Sequence, residues 1–478
     1  MRVTSRESGL TMVMQKSFEQ MSDEQKSGFV KMRSGRSVVS FVRRTVVPFM
    51  VAVLFSGVQA SAQTTIVISD PGRTYPIALP QLCLQSGESQ AAQQIPAVVA
   101  RDLDLSGYFS ILSPNAYVEP PGKCVGPDGG AYEDWALIKA QWLVRGVVSE
   151  GGSGFRVVLE LHDVPSQRRV FSKEYSGSEK EIRRIAHQFA NEIMREITGE
   201  AGPFGSRVAF AARIGRFKDL FVMDLDGENL RQVTTDRGIA TAPAWDRAGQ
   251  RLLFTSYRTR QPNIYVLDVD GGRTSTITTG PALEIGGTFS PDGSRIVTSL
   301  TENRDSDLVE FTTQGQLLRR LTRPNQAIDV SPSFSPDGQK IVFCSDRGGG
   351  PQIYTMGWNG EKPQRISFTN SSYCTSPSWS PKGDRIAFVC RADGGFQLFM
   401  ANADGSDPIQ VTGGGDNEDP DWSPDGRYLV YSSTFGKRGG NHNLAMIRVA
   451  KNLEGTNQRQ ITFGRGSDSE PAWSTILP

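Results

Sequence analysis

From Ser206 onward, apolar and polar positions follow one order six times over. Each unit opens with a short apolar strand: RVAF at 207–210, RLLF at 251–254, RIVT at 295–298, KIVF at 340–343, RIAF at 385–388 and YLVY at 428–431. An alternating strand follows, closed by a glycine at Gly227, Gly271, Gly315, Gly360, Gly405 and, in a degenerate copy, Gly455. Next comes a short apolar-hydroxyl pair: Val233-Thr234, Ile277-Thr278, Leu321-Thr322, Ile366-Ser367, Val411-Thr412 and Ile461-Thr462. An aromatic closes each unit, at Trp245, Phe289, Phe334, Trp379, Trp422 and Trp473, so that successive aromatics are 44, 45, 45, 43 and 51 residues apart.

Four short strands per period, with a turn signal between each, predict a β-propeller. A single four-stranded unit cannot bury both of its faces, so each must pack on its neighbours. The recurring phrase Ser335-Pro336-Asp337-Gly338 is a turn: Pro presets φ, Asp bonds its own backbone, and Gly accepts the left-handed conformation. Its Asp is not a catalytic repeat, since Lys382 replaces it in one copy and Arg247 shifts the pattern in another. The last aromatic arrives without a following strand, and the first strand without a preceding aromatic. Joined, they complete a sixth blade and leave no open edge.

Residues 63–199 have a different pattern. Thr64–Ser69 is a β-branched strand, 88–104 a helix, and 109–112 a strand. A helical turn at 134–140 precedes a hairpin of 141–149 with 155–163 and a strand at 169–175. The 179–198 segment closes the domain as an amphipathic helix with Ile182, Ile185, Ala186, Phe189, Ile193 and Ile197 on one face. The expected fold is therefore a small N-terminal α+β domain (63–199), a linker (200–205) and a six-bladed all-β propeller (206–478) closed by its C-terminal strand.

The first 62 residues add an address. Arg43 and Arg44 precede an uncharged apolar run from Thr45 to Val58, and Gln59-Ala60-Ser61-Ala62 supplies a small-x-small cleavage pattern, so 1–62 reads as a signal peptide with an over-long start, Met32 being the alternative initiator. The apolar run is too short to span a bilayer, and no transmembrane segment is expected. Residues 1–44 hold nine Lys/Arg against four Asp/Glu, which leaves the remaining chain at about −4. No basic footprint for nucleic acid remains. Of the five cysteines, Cys83 with Cys124 and Cys374 with Cys390 are candidate disulfides, or else buried thiols, in an oxidising compartment.

Chemistry is sparse. The exported part holds only His162, His187 and His442, at no metal-ligand spacing, and each reads as satisfied or solvated. Nucleophile-elbow, phosphate-loop, dinucleotide-binding and H-E-x-x-H motifs are all missing from the sequence. No catalytic residue, cofactor or metal is expected. Acidic residues do gather before the aromatics, at Asp329, at Asn417-Glu418-Asp419, and at Asp468 and Glu470. Loops in that position converge on one end of a propeller, and binding concentrates on such loops.

The leader, the small domain and the six repeats together resemble the TolB family, the periplasmic components of Tol-Pal envelope systems. The most specific residues are Ile66-Val67-Ile68-Ser69-Asp70-Pro71-Gly72 followed by Pro76-Ile77, the segment from Ala100 to Phe109 (ARDLDLSGYF), and the ending Pro471-Ala472-Trp473-Ser474. The resemblance implies a non-enzymatic, monomeric periplasmic adaptor that supports outer-membrane integrity and constriction during cell division. Its propeller mouth would receive the peptidoglycan-associated lipoprotein Pal, and its mature N-terminus would engage TolA. Matched by position, the Pal-facing residues are Leu283, Glu284 and Gly286; Asp329, Val330 and Ser331; Thr375; and the acidic loop residues Asn417, Glu418, Asp419, Asp468 and Glu470. The TolA-facing residues are Thr64, Thr65, Ile66, Val67, Ile68, Ser69 and Asp70. An extended, β-prone N-terminus suits addition to another protein's sheet edge. The alternative is an exported propeller that binds a carbohydrate or other small ligand.

Overall fold

The computed structural model describes residues 74–125, 131–151, 154–280, 282–302, 305–323, 327–437, 439–449, 458–463 and 467–477. The expected signal peptide, the segment Thr64–Asp70 and the Gly455 turn lie outside the described residues. Among the described residues, no helix is long and apolar enough to cross a membrane.

The N-terminal domain is a sheet of order β3-β1-β4-β5-β6, with β2 also pairing β4. Its strands are β1 (Tyr75–Ala78), β2 (Cys83–Leu84), β3 (Phe109–Ile111), β4 (Trp142–Gly151), β5 (Gly154–Asp163) and β6 (Arg168–Gly177). Pro76 lies in β1, whose short, proline-containing spelling hides the strand from a pattern search. Helix α1 spans Ala91–Ser106 and α3 spans Ile182–Thr198, with the short α2 (Tyr132–Leu137) between them in the chain. Helix α1 begins three residues after the expected start, because the Ser89 hydroxyl accepts the Ala91 N–H at 3.1 Å and holds 88–90 in the preceding turn. Helix α3 is preceded by a capping box between Ser178 and Glu181 and ends at Gly199, whose φ of 83° is left-handed. Its predicted apolar face is buried together with α1, β4 and β5.

The propeller consists of six four-stranded antiparallel sheets. The inner strands of blades one to six are Ala240–Trp245, Leu283–Phe289, Asp329–Phe334, Cys374–Trp379, Asn417–Trp422 and Asp468–Ile476. The sixth pairs with Ser206–Ile214, register Trp473↔Val208, so the C-terminal strand closes the ring as the pattern predicts. Each repeated landmark has a mechanical role. The turn aspartate Asp337 accepts the Gln339 N–H at 3.0 Å and the Ser335 hydroxyl at 2.6 Å, joining inner strand to next strand. The hydroxyl of the pair (Thr234, Thr278, Thr322, Ser367, Thr412, Thr462) accepts a backbone N–H from the third strand of its own blade at 2.9–3.0 Å in all six units. The aromatics stitch blades together: Trp245 Nε1 donates to the Ala472 carbonyl and Trp422 Nε1 to the Ser378 carbonyl, both at 3.1 Å, each in the preceding blade.

The two domains share one apolar cluster, in which Phe109 and Phe189 join Tyr428, Met446 and Trp473. The segment 200–205 is packed as well: Phe204 is buried and its carbonyl accepts from Asn191 at 2.9 Å. The N-terminal domain meets the turns that follow the inner strands. Arg427 reaches Thr198 Oγ1 at 2.9 Å and the Ala201 carbonyl at 2.5 Å, and Tyr428 donates to the Ser106 carbonyl at 3.1 Å. The opposite end, where the inner strands begin, is the mouth.

Candidate functional site

Every inner strand contains the same irregularity near its start. The ladder register shifts there in all six blades. One residue turns left-handed: Ala242 (φ 51°), Gly286 (65°), Ser331 (55°), Ser376 (48°), Asp419 (54°) and Glu470 (53°). Proline follows in five blades, where its missing N–H leaves no ladder bond unmade; Gly287 takes the place in the other. These bulges aim six left-handed residues and their successors into a central cavity of about 350 Å³.

The cavity is polar and acidic on one side. Glu470 accepts from Lys218 Nζ and from the Ala242 N–H, both at 2.5 Å, and from the Thr241 hydroxyl, so it ties blade six to blade one. Burial would raise its pKa, but Lys218 and these donors hold the carboxyl below the usual range. Asp421 accepts the Trp473 N–H at 2.7 Å and the Ser378 hydroxyl at 2.9 Å, yet burial pushes it up to about 6. Asp419 is also raised, by burial first and then by the nearby Glu470 and Glu418 carboxylates.

Exposed apolar residues stand around the mouth. Ile239, Leu283 and Ile328 occupy equivalent positions three residues before the bulge, and are 43%, 41% and 45% exposed. Ile285 is 41% exposed; Phe368 and Phe463, in the loops entering blades four and six, reach 60% and 74%. Six exposed apolar side chains gathered on one rim mark a contact surface rather than scattered surface residues.

The expected mouth residues divide into two ranks. Leu283 is at the rim, and Gly286, Ser331, Asp419 and Glu470 line the cavity. Glu418 is half-buried beside them, 3.2 Å from His442. The residues two before the bulge are a different matter: Glu284, Asp329, Asn417 and Asp468 are buried inside their blades and are not presented at the surface. Asp329 receives two 2.9 Å bonds from Arg347 Nη2, and Asn417 bonds Gln397, Gly414 and Ser433. Strand alternation fixes this outcome, since positions two apart along a strand share a face until a bulge reverses it. Val330 and Thr375 are half-buried, Val330 against the cluster containing Cys374 and Cys390. The sequence reading missed Lys218, Asp421 and, Leu283 apart, the apolar rim, none of which carries a local motif; only the repeat alignment would have placed Ile239, Leu283 and Ile328 in one ring.

Cys83 is joined to Cys124, and Cys374 to Cys390 across adjacent strands, leaving Cys344 as a buried thiol. His162 is satisfied by Tyr132 Oη at 2.8 Å and Glu160 at 3.1 Å.

Residues 194–477 match the TolB beta propeller domain and residues 64–170 the TolB amino-terminal domain. A Tol-Pal system protein TolB from Syntrophotalea carbinolica is 34% identical over 44% of this chain and 50% of its own length. Another, from Anaeromyxobacter dehalogenans strain 2CP-1, is 34% identical over 55% of this chain and 61% of its own. These alignments thus span about half to three-fifths of the relatives' length. The crystal structure of TolB from Acinetobacter baumannii superposes with a TM-score of 0.72 at 24% identity, covering 84% of this chain and 97% of that one, which is a likeness of fold. With the propeller match alone extending over more than half of the residues, the chain belongs to the TolB family.

Proposed function

We propose that this chain is a non-enzymatic periplasmic adaptor of a Tol-Pal system, with Pal docking at the propeller mouth and TolA engaging Thr64–Asp70. The observation that carries the reading is the mouth itself: an apolar rim of Ile239, Leu283, Ile285, Ile328, Phe368 and Phe463 around a polar, partly acidic cavity. Such a surface suits a protein segment that buries apolar side chains on the rim and sends donors into the cavity. The family membership and the relatives named as Tol-Pal system proteins support the choice of partners. By this reading the adaptor couples outer membrane and cell wall to the inner membrane and sustains constriction.

The test is capture by purified partners. The parent chain should retain both Pal and TolA. The Ile285→Asp/Ile328→Asp double variant should lose Pal and keep TolA, and deletion of residues 63–72 should do the reverse. If the rim variant retains Pal at parental affinity, the mouth is not the docking site.

A further inference from the structure

Where the two domains meet, three chemistry-bearing side chains from distant parts of the sequence converge. His187 lies on α3, Asp224 ends the Phe217–Asp224 strand of blade six and Asp226 lies in the turn after it; one ligand atom from each falls within 4.8 Å of the others. The histidine is already oriented: its Nδ1 is 2.7 Å from Asp102 Oδ2 on α1. That bond leaves Nε2 as the ring atom available to a further ligand. Nε2 is buried, the residue only 7% exposed, and among the described residues it has no hydrogen-bond partner. A carboxylate behind an imidazole whose other nitrogen is free is the arrangement that supports metal-ligating histidines.

A cation already favours this spot. One nitrogen of Arg183, Nη2, lies 2.8 and 2.7 Å from the two Asp226 oxygens and 3.1 Å from Asp224. The guanidinium balances only one of three carboxylates, Asp102, Asp224 and Asp226. A divalent ion in its place would balance two of them with the imidazole neutral. The Arg183 side chain is 28% exposed and has solvent to move into.

We propose that His187, Asp224 and Asp226 form a site for a divalent ion of the zinc class, which takes the place of Arg183 Nη2 and staples the N-terminal domain to the sixth blade. One imidazole and two carboxylates match the ligand types of zinc, whose bonds of about 2.0–2.2 Å require the three groups to draw together by a modest shift. Asp102 acts as the positioning residue. Sequence spacing gives no hint of the site, because the ligands come from two domains.

The experiment is zinc titration of the untagged, chelator-stripped full chain, by calorimetry, with anomalous scattering from zinc-soaked crystals. The expected result is one zinc per chain, at least tenfold weaker binding in Asp224→Asn and His187→Gln, and at least tenfold tighter binding in Arg183→Gln, where the competing guanidinium is gone. Asp224 is half-buried at the edge of the cluster, so its variant keeps the test readable if His187→Gln fails to fold. Zinc bound equally well by parent and Asp224→Asn, an anomalous peak elsewhere, or no binding by Arg183→Gln would overturn the assignment.

Discussion

Lys218 Nζ and the Glu470 carboxylate are 2.5 Å apart at the mouth, and Glu470 is at the same time bonded to the backbone of Ala242 in the next blade. The lysine therefore neutralises a carboxylate that holds the ring together where its last strand closes it. Lys218→Met would leave Glu470 beside Asp419 without a counter-charge, and is expected to cost about 1–3 kcal/mol in urea unfolding. Adding Glu470→Gln should restore part of that loss, since the uncompensated charge goes with it. A double variant no more stable than Lys218→Met would refute the coupling.

Asp421 gives the propeller a pH dependence of defined sign. Its carboxyl titrates near 6 in the folded chain against an ordinary 3.8, because burial outweighs its bonds to Trp473 and Ser378. The folded state thus holds this proton more tightly than the unfolded chain. Its contribution favours folding below about pH 4, declines as pH rises to about 6 and stays unfavourable above. Asp421→Asn should improve in stability relative to the parent by up to about 3 kcal/mol between pH 4 and pH 7, and by less where channel water reaches the carboxyl. Paired thermal melts at the two pH values read the difference; a pH-independent difference would refute it.

The left-handed residue at each bulge carries a backbone cost of roughly 1–2 kcal/mol when it is not glycine. Ala242, at φ 51°, has no side-chain bond to lose. Ala242→Gly is expected to stabilise the propeller by up to about 1 kcal/mol, partly offset by the greater freedom of glycine in the unfolded chain. The opposite is expected at Gly287, where a Cβ would stand 2.8 Å from the Val297 carbonyl oxygen: Gly287→Ala should destabilise despite an ordinary backbone. Chemical denaturation of the two variants checks both signs.

How much of this was legible depended on whether a feature repeats. The propeller and its closure by Trp473 could be read because six copies average out local errors, and the α3 face because Ile182 to Ile197 keep a helical period over four turns. The site was only half legible. Glu284 and Asp329 look like surface acids, since loops before an aromatic are usually solvated, but the bulge decides which positions enter the cavity, so that Asp419 and Glu470 line it while Glu284 and Asp329 stay inside their blades. That decision rests on φ at one residue, and Pro243, Pro332, Pro377, Pro420 and Pro471 were its only trace in the sequence. Lys218 pairs with a residue 252 positions away, a distance over which no local pattern operates.

Arg427 connects the repeat to the N-terminal domain. It follows the blade-five turn Ser423-Pro424-Asp425-Gly426, whose aspartate it bonds at 2.8 Å, and its remaining donors go to Thr198 Oγ1 at the end of α3 and the Ala201 carbonyl beyond it. The guanidinium also stacks 5.9 Å from the Tyr108 ring centroid, just after α1. Being largely buried and bonded on both sides, it fixes the angle at which α3 leaves for the propeller, a role the equivalent Gln339 and Ser294 do not have. Arg427→Ala is expected to remove about 2–3 kcal/mol, the range for a buried charged group that loses several partners. The loss should fall at the junction. Amide exchange in 195–206 should speed up at least tenfold, while the Lys340–Ser345 strand of blade three keeps its protection. Uniform acceleration across all blades would mean that Arg427 supports the propeller as a whole, and the domain-joining role would be wrong.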